Sequence, residues 1–378
     1  MDEKFESVHL QPFLHQVSGH RGIFLINDQT VCKPLNVREY NFYLNIPHIL
    51  RSFTAEFRGK IEAEIREGND GRLTVMGRRP KSTDLKKSVN CENVSDSVMC
   101  PSNVEKLEGI HSLQLLRSDG VEIVTQTDQL IVSRDVRNDC RVEMVNPWSL
   151  RCQKKMMSKL KKVNPGPVTH CDFILLENVA ARFRHPCILD LKMGTRQHGD
   201  DVSPEKKERF TERCRSTTSS SLGVRIGGMQ VYRGDGDQCV WVNKIYGRRL
   251  GVDGFKQTLH QFLLHDGFKL RKDLLDPIID RLKDLHRNIQ SCDTYRFYSS
   301  SLLIVYDACC QVTHLATDLG NDESCGSGHV VEVRLIDFAH FTRSGFQNDT
   351  TVHIGPDPGF LFGLENLIDI FSDMRCIG

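Results

Sequence analysis

The most constraining feature of the sequence is residues 185–201, where an apolar run containing one acid and one base precedes a charged tail. Side chains alternate between the two faces of a strand, so Asp190 and Lys192 are predicted to point the same way. Gly194 then ends the run and lets the backbone turn. Taken alone, the pattern favours an ordinary surface ion pair at a strand edge, since such pairs are common. Whether Asp190 and Lys192 are functional therefore has to be judged from the other segments of the chain.

Length and charge bound the class of protein. A chain of 378 residues predicts one large two-lobed unit or two domains. The 50 basic and 49 acidic residues leave a formal net charge of +1, so no global field favours nucleic acid or a membrane surface. We expect any anion site to be local.

Cysteine usage and hydropathy bear on the compartment. The 14 cysteines form no C-x-x-C pair, and Cys309 and Cys310 are adjacent, which is typical neither of a disulfide framework nor of a zinc site. No apolar stretch has the roughly 18 residues of a membrane span, and residues 1–10 are not typical of a signal peptide. We expect a soluble cytoplasmic protein. The basic residues 78–81 leave a nuclear location open, although such clusters are more often solvated surface.

The N-terminal segment predicts a hairpin with small residues in its loop. Apolar stretches within 10–20, 23–26 and 30–35 flank turn signals, and the loop contains Ser18 and Gly19. Small residues let backbone N–H groups approach phosphates. A plain surface turn is the more common structure for such a loop.

A lysine and a glutamate follow in a suggestive order. Lys33 falls in the second strand of the hairpin, and Glu39 lies at the start of a helical segment over 38–44. A strand lysine beside a helix glutamate is typical of kinases, where the lysine binds nucleotide phosphates. An ordinary ion pair has the same pattern.

The middle of the chain changes character. Residues 77–146 lack a strong period and are rich in polar residues, which predicts a variable, partly disordered insert. We then expect a basic helix over 153–162 and a buried strand over 173–179 that ends in a polar bend. In a two-lobed kinase such a strand joins the lobes, but an ordinary core strand has the same pattern.

The C-terminal half alternates predicted helices and strands. Further elements are a helix over 204–215, strands over 222–232 and 240–246, helices over 255–263 and 274–289, a strand over 295–306, an insert over 308–329, a strand over 331–338 and a helix over 360–374. Four basic residues can supply cations to one cleft or lie on solvated strand edges: Arg225, Lys244, Arg248 and Arg249.

Asp337 lies at the end of the predicted strand 331–338. An acid in this position is costly unless a cation or hydrogen bonds satisfy it, so Asp337 is a candidate magnesium ligand. Capping of the next turn is an equal alternative.

Taken in order, these segments resemble the inositol polyphosphate kinases. The family motif Pro-x-x-x-Asp-x-Lys-x-Gly matches Pro186, Asp190, Lys192 and Gly194, and the motifs Ser-Ser-Leu-Leu and Ile-Asp-Phe-Ala match residues 300–303 and 336–339. Four segments look like the hexakisphosphate kinase branch: 147–152, 196–201, 297–301 and 362–367.

The resemblance implies an α+β, two-lobed fold distantly like that of protein kinases, with ATP between the lobes. The implied division is an N-terminal lobe formed by residues 1–76 and 147–180, the insert 77–146, and a C-terminal lobe over 181–378. The C-terminal lobe would hold the inositol phosphate site and the variable insert 308–329.

The same resemblance implies roles for single residues. ATP would contact Lys33, which Glu39 orients, the covering loop over 16–20 with Gly19, and backbone groups of Glu177 and Val179. Asp337 would bind Mg²⁺. Asp190 and Lys192 would face the reacting groups, and weaker candidates for substrate phosphates are Arg196, His198, Lys244 and Arg248.

The chain departs from the family pattern in three places. Ser18 replaces a residue that is commonly glycine or alanine, Ile354 stands where aspartate is expected, and the inserts are short. None of these departures removes a catalytic residue.

The implied reaction moves the γ-phosphoryl group of ATP onto a phosphate of inositol hexakisphosphate, or of a pentakisphosphate, and makes a diphosphoinositol polyphosphate. Such an acceptor needs no strong base, because the second pKa of a phosphate monoester is about 6. Each unit like-charge pair at ~4 Å costs about 4 kcal/mol at an effective dielectric of 20, so cations must offset the repulsion. Lys192 would neutralise charge, and Asp190 would orient a metal ion, a water molecule or Lys192. If a hydroxyl were the acceptor, Asp190 would be the natural base.

Two alternatives stay open. A multikinase or trisphosphate kinase would use the same core on ring hydroxyls, and the cations around 196–201 and 244–249 would decide between them. A sensor or scaffold would bind inositol phosphates without turnover, which the presence of both lysines and both aspartates disfavours. We expect ATP and inositol hexakisphosphate as partners, and neither nucleic acid nor membrane insertion.

Overall fold

The computed structural model describes residues 5–67, 73–80, 129–133, 146–163, 168–233, 238–265, 267–309, 330–347 and 349–376. Its framework is two antiparallel sheets, of seven and six strands, and the larger helices pack mainly against the second. The predicted α+β fold with two lobes is confirmed.

The first sheet forms the N-terminal lobe. Its strands are β1 (Phe5–His9), β2 (Gln11–Pro12), β3 (Phe24–Asn27), β4 (Thr30–Pro34), β5 (Phe57–Glu67), β6 (Leu73–Pro80) and β8 (Val168–Glu177), in the order β1-β6-β5-β8-β4-β3-β2. The predicted hairpin is present, because β2 pairs with β3 and β3 with β4. Lys33 therefore lies in the strand beside β8, opposite Ile174.

The second sheet forms the floor of the C-terminal lobe. Its strands are β7 (Gln129–Ser133), β9 (Pro186–Met193), β10 (Val224–Arg233), β11 (Gln238–Val242), β15 (Ser301–Asp307) and β16 (Val331–Ile336), in the order β16-β15-β9-β10-β11-β7. The motif strand β9 lies between β15 and β10. Lys192 is the one residue of β9 that is not buried, and its neighbours across the sheet are Ser301 and Arg225.

The remaining elements are mostly helical. The helices are α1 (Val37–Leu44), α2 (Pro147–Val163), α3 (Pro204–Arg215), α4 (Thr218–Leu222), α5 (Lys244–Arg249), α6 (Val252–Phe262), α7 (Leu275–Gln290) and α8 (Pro358–Cys376). Two short ribbons pair β12 (Leu264–His265) with β13 (Lys269–Leu270), and β14 (Arg296–Tyr298) with β17 (His340–Thr342). Among the described residues, no helix combines the length and apolarity needed to cross a bilayer.

Side-chain caps determine where three of the helices begin. Asn36 accepts a hydrogen bond from the Glu39 amide at 3.1 Å, and Ser203 accepts one from the Lys206 amide at 3.4 Å. Asn243 accepts a hydrogen bond from the Ile245 amide at 2.7 Å. Each cap satisfies an N–H group that the first turn leaves without a partner. The caps thereby fix helices that carry charged residues towards the space between the sheets.

Helix α1 makes several of the contacts between the lobes. The ring of Phe42 stacks on Phe338, just after β16, with centroids 3.7 Å apart. Arg38 makes a bidentate ion pair with Asp349, at 2.6 and 2.9 Å. Such a planar pairing fixes direction as well as distance. The two sheets are thus held in one arrangement around the space between them.

Two predicted strands were wrong in extent. The strand predicted over 240–246 ends at Val242, because Asn243 caps α5 and places Lys244 in a helix. The strand predicted over 295–306 is broken into β14 and β15 at Ser299, whose φ of 62° is incompatible with a continuous strand. The basic helix begins earlier than predicted, at Pro147.

Two parts of the predicted insert 77–146 belong to the sheets. β6 continues to Pro80 while paired with β1, and β7 extends the second sheet through its pairing with β11. The prediction of disorder for 81–128 and 134–145 lies outside the described residues, as does most of the predicted insert 308–329.

Candidate active site

A cavity of about 560 Å³ lies between the two sheets. Its walls come from the covering loop (residues 16–20), β4, α1, the bend after β8, β9, α3, β10, α5 and the end of β16. Ten of the twelve predicted site residues line it: Gly19, Lys33, Glu39, Glu177, Val179, Asp190, Lys192, Lys244, Arg248 and Asp337.

Four of these residues form a continuous chain of ion pairs, which we call the paired network. Lys33 Nζ lies 2.7 Å from Glu39 Oε1 and 2.7 Å from Asp337 Oδ1. The other oxygen of Asp337 lies 2.6 Å from Lys192 Nζ. Asp337 therefore joins a lysine of the first sheet to a lysine of the second. The order is Glu39, Lys33, Asp337, Lys192, and every charge faces an opposite one.

This alternation of charge outweighs the cost of burial. Burial alone would lower the pKa of Lys33, but the carboxylates of Asp337 and Glu39 raise it above its ordinary value. Burial would likewise raise the pKa of Asp337, but Lys192 and Lys33 hold it far below its usual range. Lys33 and Asp337 are therefore both ionised near neutral pH.

The backbone at Asp337 is shaped for this role. Its φ of 67° is in the left-handed region, which residues other than glycine seldom adopt. Ser300 Oγ donates to the Asp337 carbonyl oxygen at 3.0 Å, and Ser300 belongs to the Ser-Ser-Leu-Leu segment. The two motifs thus meet, and together they turn the carboxylate into the cavity.

One end of the cavity is apolar. Its aliphatic side chains come from both lobes: Val31, Ala55, Leu176, Val179, Ile188, Leu303 and Ile336. Glu177 lies at this end, but its amide donates to the Glu56 carbonyl oxygen at 2.9 Å. That N–H is therefore already used within the protein. A flat aromatic group would fit between these side chains.

The other end carries five basic side chains, which we call the cationic cluster: Lys206, Arg213, Arg225, Lys244 and Arg248. Among the described residues, no ion pair joins any of them to a carboxylate. Burial and the neighbouring Arg248 lower the pKa of Lys244 to about 8 and that of Arg225 to about 10. Repulsion within the cluster is thus uncompensated, and a polyanion would relieve it.

Sequence reasoning missed two members of the cluster, Lys206 and Arg213. Both lie on α3, whose extent was predicted correctly. Their spacing of seven residues puts them on one face of the helix, with Phe210 between them. That spacing was an available signal, but it does not tell which face turns to the cavity.

Two predicted residues, Arg196 and His198, do not line the cavity. The Arg196 guanidinium pairs with Asp200 and stacks 4.2 Å from the ring centre of Tyr298. The buried His198 ring has Nδ1 3.0 Å from the Gly199 carbonyl oxygen. Both side chains are held by neighbours within the C-terminal lobe, so the geometry gives no support to their prediction as substrate ligands.

The covering loop is held by hydrogen bonds within the loop and by packing against its neighbours. Gln16 Nε2 donates to the carbonyl oxygens of Ser18 and Arg21, both at 2.8 Å. Beneath the loop, a Cβ atom at Gly228 would overlap the Val17 carbonyl oxygen, so only glycine lets loop and strand approach this closely. Lys244 Nζ contacts Gly19 O at 3.4 Å. The loop is therefore held against β10 and α5.

Asp190 lies beneath this loop and is 0% exposed. The hydroxyl of Ser18 donates to its Oδ2 atom. A Cβ atom at Gly227 would overlap Oδ1, and that oxygen has no hydrogen-bond partner among the described residues. Burial raises the pKa of Asp190, although Lys192 opposes the shift.

Comparison with known proteins identifies this arrangement. The inositol polyphosphate kinase family model matches residues 173–372. Inositol hexakisphosphate kinase 3 of Mus musculus is 42% identical, with 97% of this chain and 96% of that protein covered. The corresponding human protein is 38% identical over the same shares. This chain belongs to the inositol polyphosphate kinase family.

Among solved structures, the inositol phosphate multikinase Ipk2 of S. cerevisiae, in complex with ADP and Mn²⁺, shares 28% identity. The match covers 54% of this chain and 84% of that one, with a TM-score of 0.44. In the chain described here, the family motifs lie on β9, at the start of β15 and at the end of β16, and they surround the paired network. The resemblance predicted from those motifs is confirmed.

Proposed function

We propose that this kinase transfers the γ-phosphoryl group of ATP to a phosphate of inositol hexakisphosphate, and also of a pentakisphosphate, and so forms diphosphoinositol polyphosphates. The relatives named as inositol hexakisphosphate kinases match over nearly the full chain, which supports this substrate class. The observation that carries the proposal is the cationic cluster, which lies beside Lys192 because Arg225 is its cross-strand partner.

The acceptor fits the cationic cluster in charge. Bringing a polyphosphate to ATP costs about 4 kcal/mol for each unit like-charge pair at ~4 Å and an effective dielectric of 20. Five basic side chains without a carboxylate partner among the described residues can offset several such pairs. A phosphate acceptor is largely ionised above its second pKa of about 6 and loses no proton as it attacks. The burial of Asp190 is consistent with such an acceptor.

ATP fits the rest of the cavity. The aliphatic side chains at the apolar end would hold the adenine ring, and Lys33, oriented by Glu39, would bind the phosphates. The transferred group would then lie beside Lys192. This lysine can neutralise charge on both the donor and the acceptor.

The residues present fit a bound Mg²⁺ ion. Asp337 offers a carboxylate that is 26% exposed, and one or two carboxylates together with substrate phosphates are the usual ligands of Mg²⁺. When bound there, the ion would neutralise phosphate charge. Lys33 and Lys192 would stay close enough to the same carboxylate to keep it ionised.

The proposed location is the cytoplasm, with the nucleus open. The nine cysteines in the described residues are all free, which supports a reducing compartment. The basic residues Arg78 and Arg79 lie within β6, and Arg78 pairs with Glu64. A paired strand does not present these residues as the extended, unpaired segment of a typical nuclear signal. Fluorescence imaging of the tagged chain, with and without Arg78→Ala, would test the location.

The test of the function is incubation of the purified chain with magnesium ATP and inositol hexakisphosphate. Products are separated by charge, and phosphorus NMR distinguishes a phosphoanhydride from a monoester. Asp337→Ala is expected to abolish product, whereas Asp373→Ala, at an exposed acid of α8, serves as the matched control.

Each outcome separates the candidate functions. A more anionic product with a phosphoanhydride signal, lost in Asp337→Ala, supports the proposal. Phosphorylation of an inositol trisphosphate hydroxyl in its place would identify a multikinase or trisphosphate kinase. Binding of the inositol phosphates without turnover would identify a sensor or scaffold.

A further inference from the structure

The two acidic groups next to the reacting phosphates differ sharply in access. The carboxylate of Asp337 is 26% exposed and Lys192 is 17% exposed, so both can meet ligands in the cavity. Asp190, two residues before Lys192 on the same strand, is 0% exposed. Asp190 shares a face of β9 with Lys192 and belongs to the cavity wall, so its lack of exposure means that another group covers its carboxylate.

The covering loop supplies that cover, and Ser18 makes the contact. Its hydroxyl donates a hydrogen bond to Oδ2 of the Asp190 carboxylate, which the Ser301 hydroxyl of β15 also approaches. Lys192 does not replace it, because its ammonium group points to Asp337 and to the Ser299 carbonyl oxygen at 3.3 Å. Oδ1 is buried against Gly227, so Ser18 occupies the place on Oδ2 that a substrate hydroxyl would take.

This contact is fixed by the rest of the loop. Gln16 holds the Ser18 carbonyl oxygen, and the Val17 carbonyl oxygen is seated against Gly228. The rest of the loop therefore holds the Ser18 hydroxyl in contact with Asp190. Glycine or alanine, which are common here in the family pattern, would leave the carboxylate without this donor.

We infer that Ser18 determines acceptor specificity: its hydroxyl blocks Asp190 as a base, and so disfavours ring hydroxyls relative to phosphates as acceptors. This inference rests on the proposed function. Ser18 acts through Asp190, so it is a positioning residue.

The chemistry of the two acceptors explains the expected discrimination. When a hydroxyl attacks, a bond forms from its oxygen to the γ-phosphorus, the bond from that phosphorus to the β–γ bridging oxygen breaks, and the hydroxyl proton must pass to a base. Asp190 is the carboxylate positioned for that proton, but it is engaged by Ser18. When an ionised phosphate oxygen attacks, the same bonds form and break and no proton is released. Only the first reaction must break the Ser18–Asp190 hydrogen bond.

An inositol pentakisphosphate tests this within one molecule, because it carries one free hydroxyl and five phosphates. Transfer to the hydroxyl gives a monoester and transfer to a phosphate gives a phosphoanhydride, and phosphorus NMR separates the two products. The ratio of products from one bound substrate is insensitive to changes in overall affinity. The purified full chain is compared with Ser18→Ala, Ser18→Thr and the matched control Ser291→Ala, at an exposed serine beyond α7.

We expect Ser18→Ala to raise the ratio of monoester to phosphoanhydride about tenfold, the range in which one charge-assisted hydrogen bond acts. Ser18→Thr, which keeps the hydroxyl, should return the ratio towards that of the unchanged chain. The increase in the ratio of monoester to phosphoanhydride that Ser18→Ala causes should disappear in the double variant Ser18→Ala/Asp190→Asn, because the base is then absent. A purely structural role of Ser18 would lower both products together.

An unchanged product ratio in Ser18→Ala, with phosphoanhydride still formed, would overturn the inference and leave the proposed function intact. No phosphoanhydride from the unchanged chain would overturn the proposed function. In that case, a double-mutant cycle of Ser18→Ala and Asp190→Asn on urea unfolding still tests the contact. Additive effects would show that the hydrogen bond is absent, and the inference would fail.

Discussion

The paired network and the cationic cluster lie at neighbouring positions in one cavity, yet they satisfy their charges in opposite ways. In the paired network, Lys33 and Lys192 face Glu39 and Asp337 within 2.7 Å. In the cationic cluster, no carboxylate among the described residues pairs with any member. The first region is complete without ligand, whereas the second is completed only by an anion. Removing a cation should therefore have opposite effects on the stability of the ligand-free protein in the two regions.

The largest effect is expected from Lys33→Met in the paired network. It leaves Glu39, which is 2% exposed, as a buried carboxylate without its cation. We expect turnover to fall about a thousandfold, since a preorganised electrostatic group is lost, and the free energy of unfolding to fall by about 3 kcal/mol. Urea unfolding and initial rates measure the two. Lys60→Met, in a surface pair with Asp172, is the control, and equal losses in both variants would refute the special role of Lys33.

Arg225→Met in the cationic cluster should reverse the sign of the stability effect. Arg225 is 5% exposed, and its Nε atom has no hydrogen-bond partner among the described residues. Removing this buried charge should raise the free energy of unfolding of the ligand-free protein by about 1 kcal/mol. The KM for the acceptor should rise at least about tenfold through the lost charge pairing.

The control is Arg66→Met, at an exposed strand arginine. A lower free energy of unfolding of ligand-free Arg225→Met would contradict the comparison of the two regions.

The pH dependence of acceptor binding should report on Lys244. Its pKa of about 8 lies below the ordinary 10.5, so the ligand-free side chain loses its charge as pH rises through 8. A bound polyanion restores the charge, so we expect the affinity for the acceptor to fall about tenfold between pH 7 and pH 9. In the unfolded chain, Lys244 keeps its proton up to its ordinary pKa of 10.5. The free energy of unfolding of the ligand-free protein should therefore rise between about pH 8 and pH 10, as folded Lys244 is neutral there and no longer carries a buried charge. Lys244→Arg should make acceptor affinity nearly independent of pH over this range. If the variant shows the same pH dependence as the unchanged chain, a group other than Lys244 causes it.

The smallest effect on the reaction is expected from Arg196→Gln, outside both regions. Arg196 stacks on Tyr298 and pairs with Asp200, so its loss should lower the free energy of unfolding by about 1 kcal/mol. The KM for the acceptor should change by less than about twofold, because the side chain does not line the cavity. A tenfold rise in KM would restore the sequence-based prediction of Arg196 as a substrate ligand.

Sequence reasoning located the paired network because its members depend on local rules. The alternation in β9 put Asp190 and Lys192 on one face, and strand and helix patterns located Lys33 and Glu39. Asp337 followed from an acid at the end of a buried strand. The kinase fold and family then followed from the order of these motifs along the chain.

The cationic cluster was less accessible to such rules. Lys206 and Arg213 belong to a correctly predicted helix, but the face that α3 turns to the cavity depends on tertiary packing. Arg196 follows Gly194 in the chain, and its direction is set by Tyr298, about a hundred residues away in sequence. The Ser18 contact with Asp190 likewise joins distant segments, so sequence reasoning noted the unusual serine without its partner.

The central position of β9 bears on how this kinase loses activity. Both edges of the strand are hydrogen-bonded, to β10 and β15, and all of its residues except Lys192 are buried. Its amides can exchange with deuterium only when the middle of the sheet opens, which is close to global unfolding. The strand that carries Asp190 and Lys192 should thus be among the last to exchange, and on heating, the alignment of these two residues should persist until the fold itself is lost.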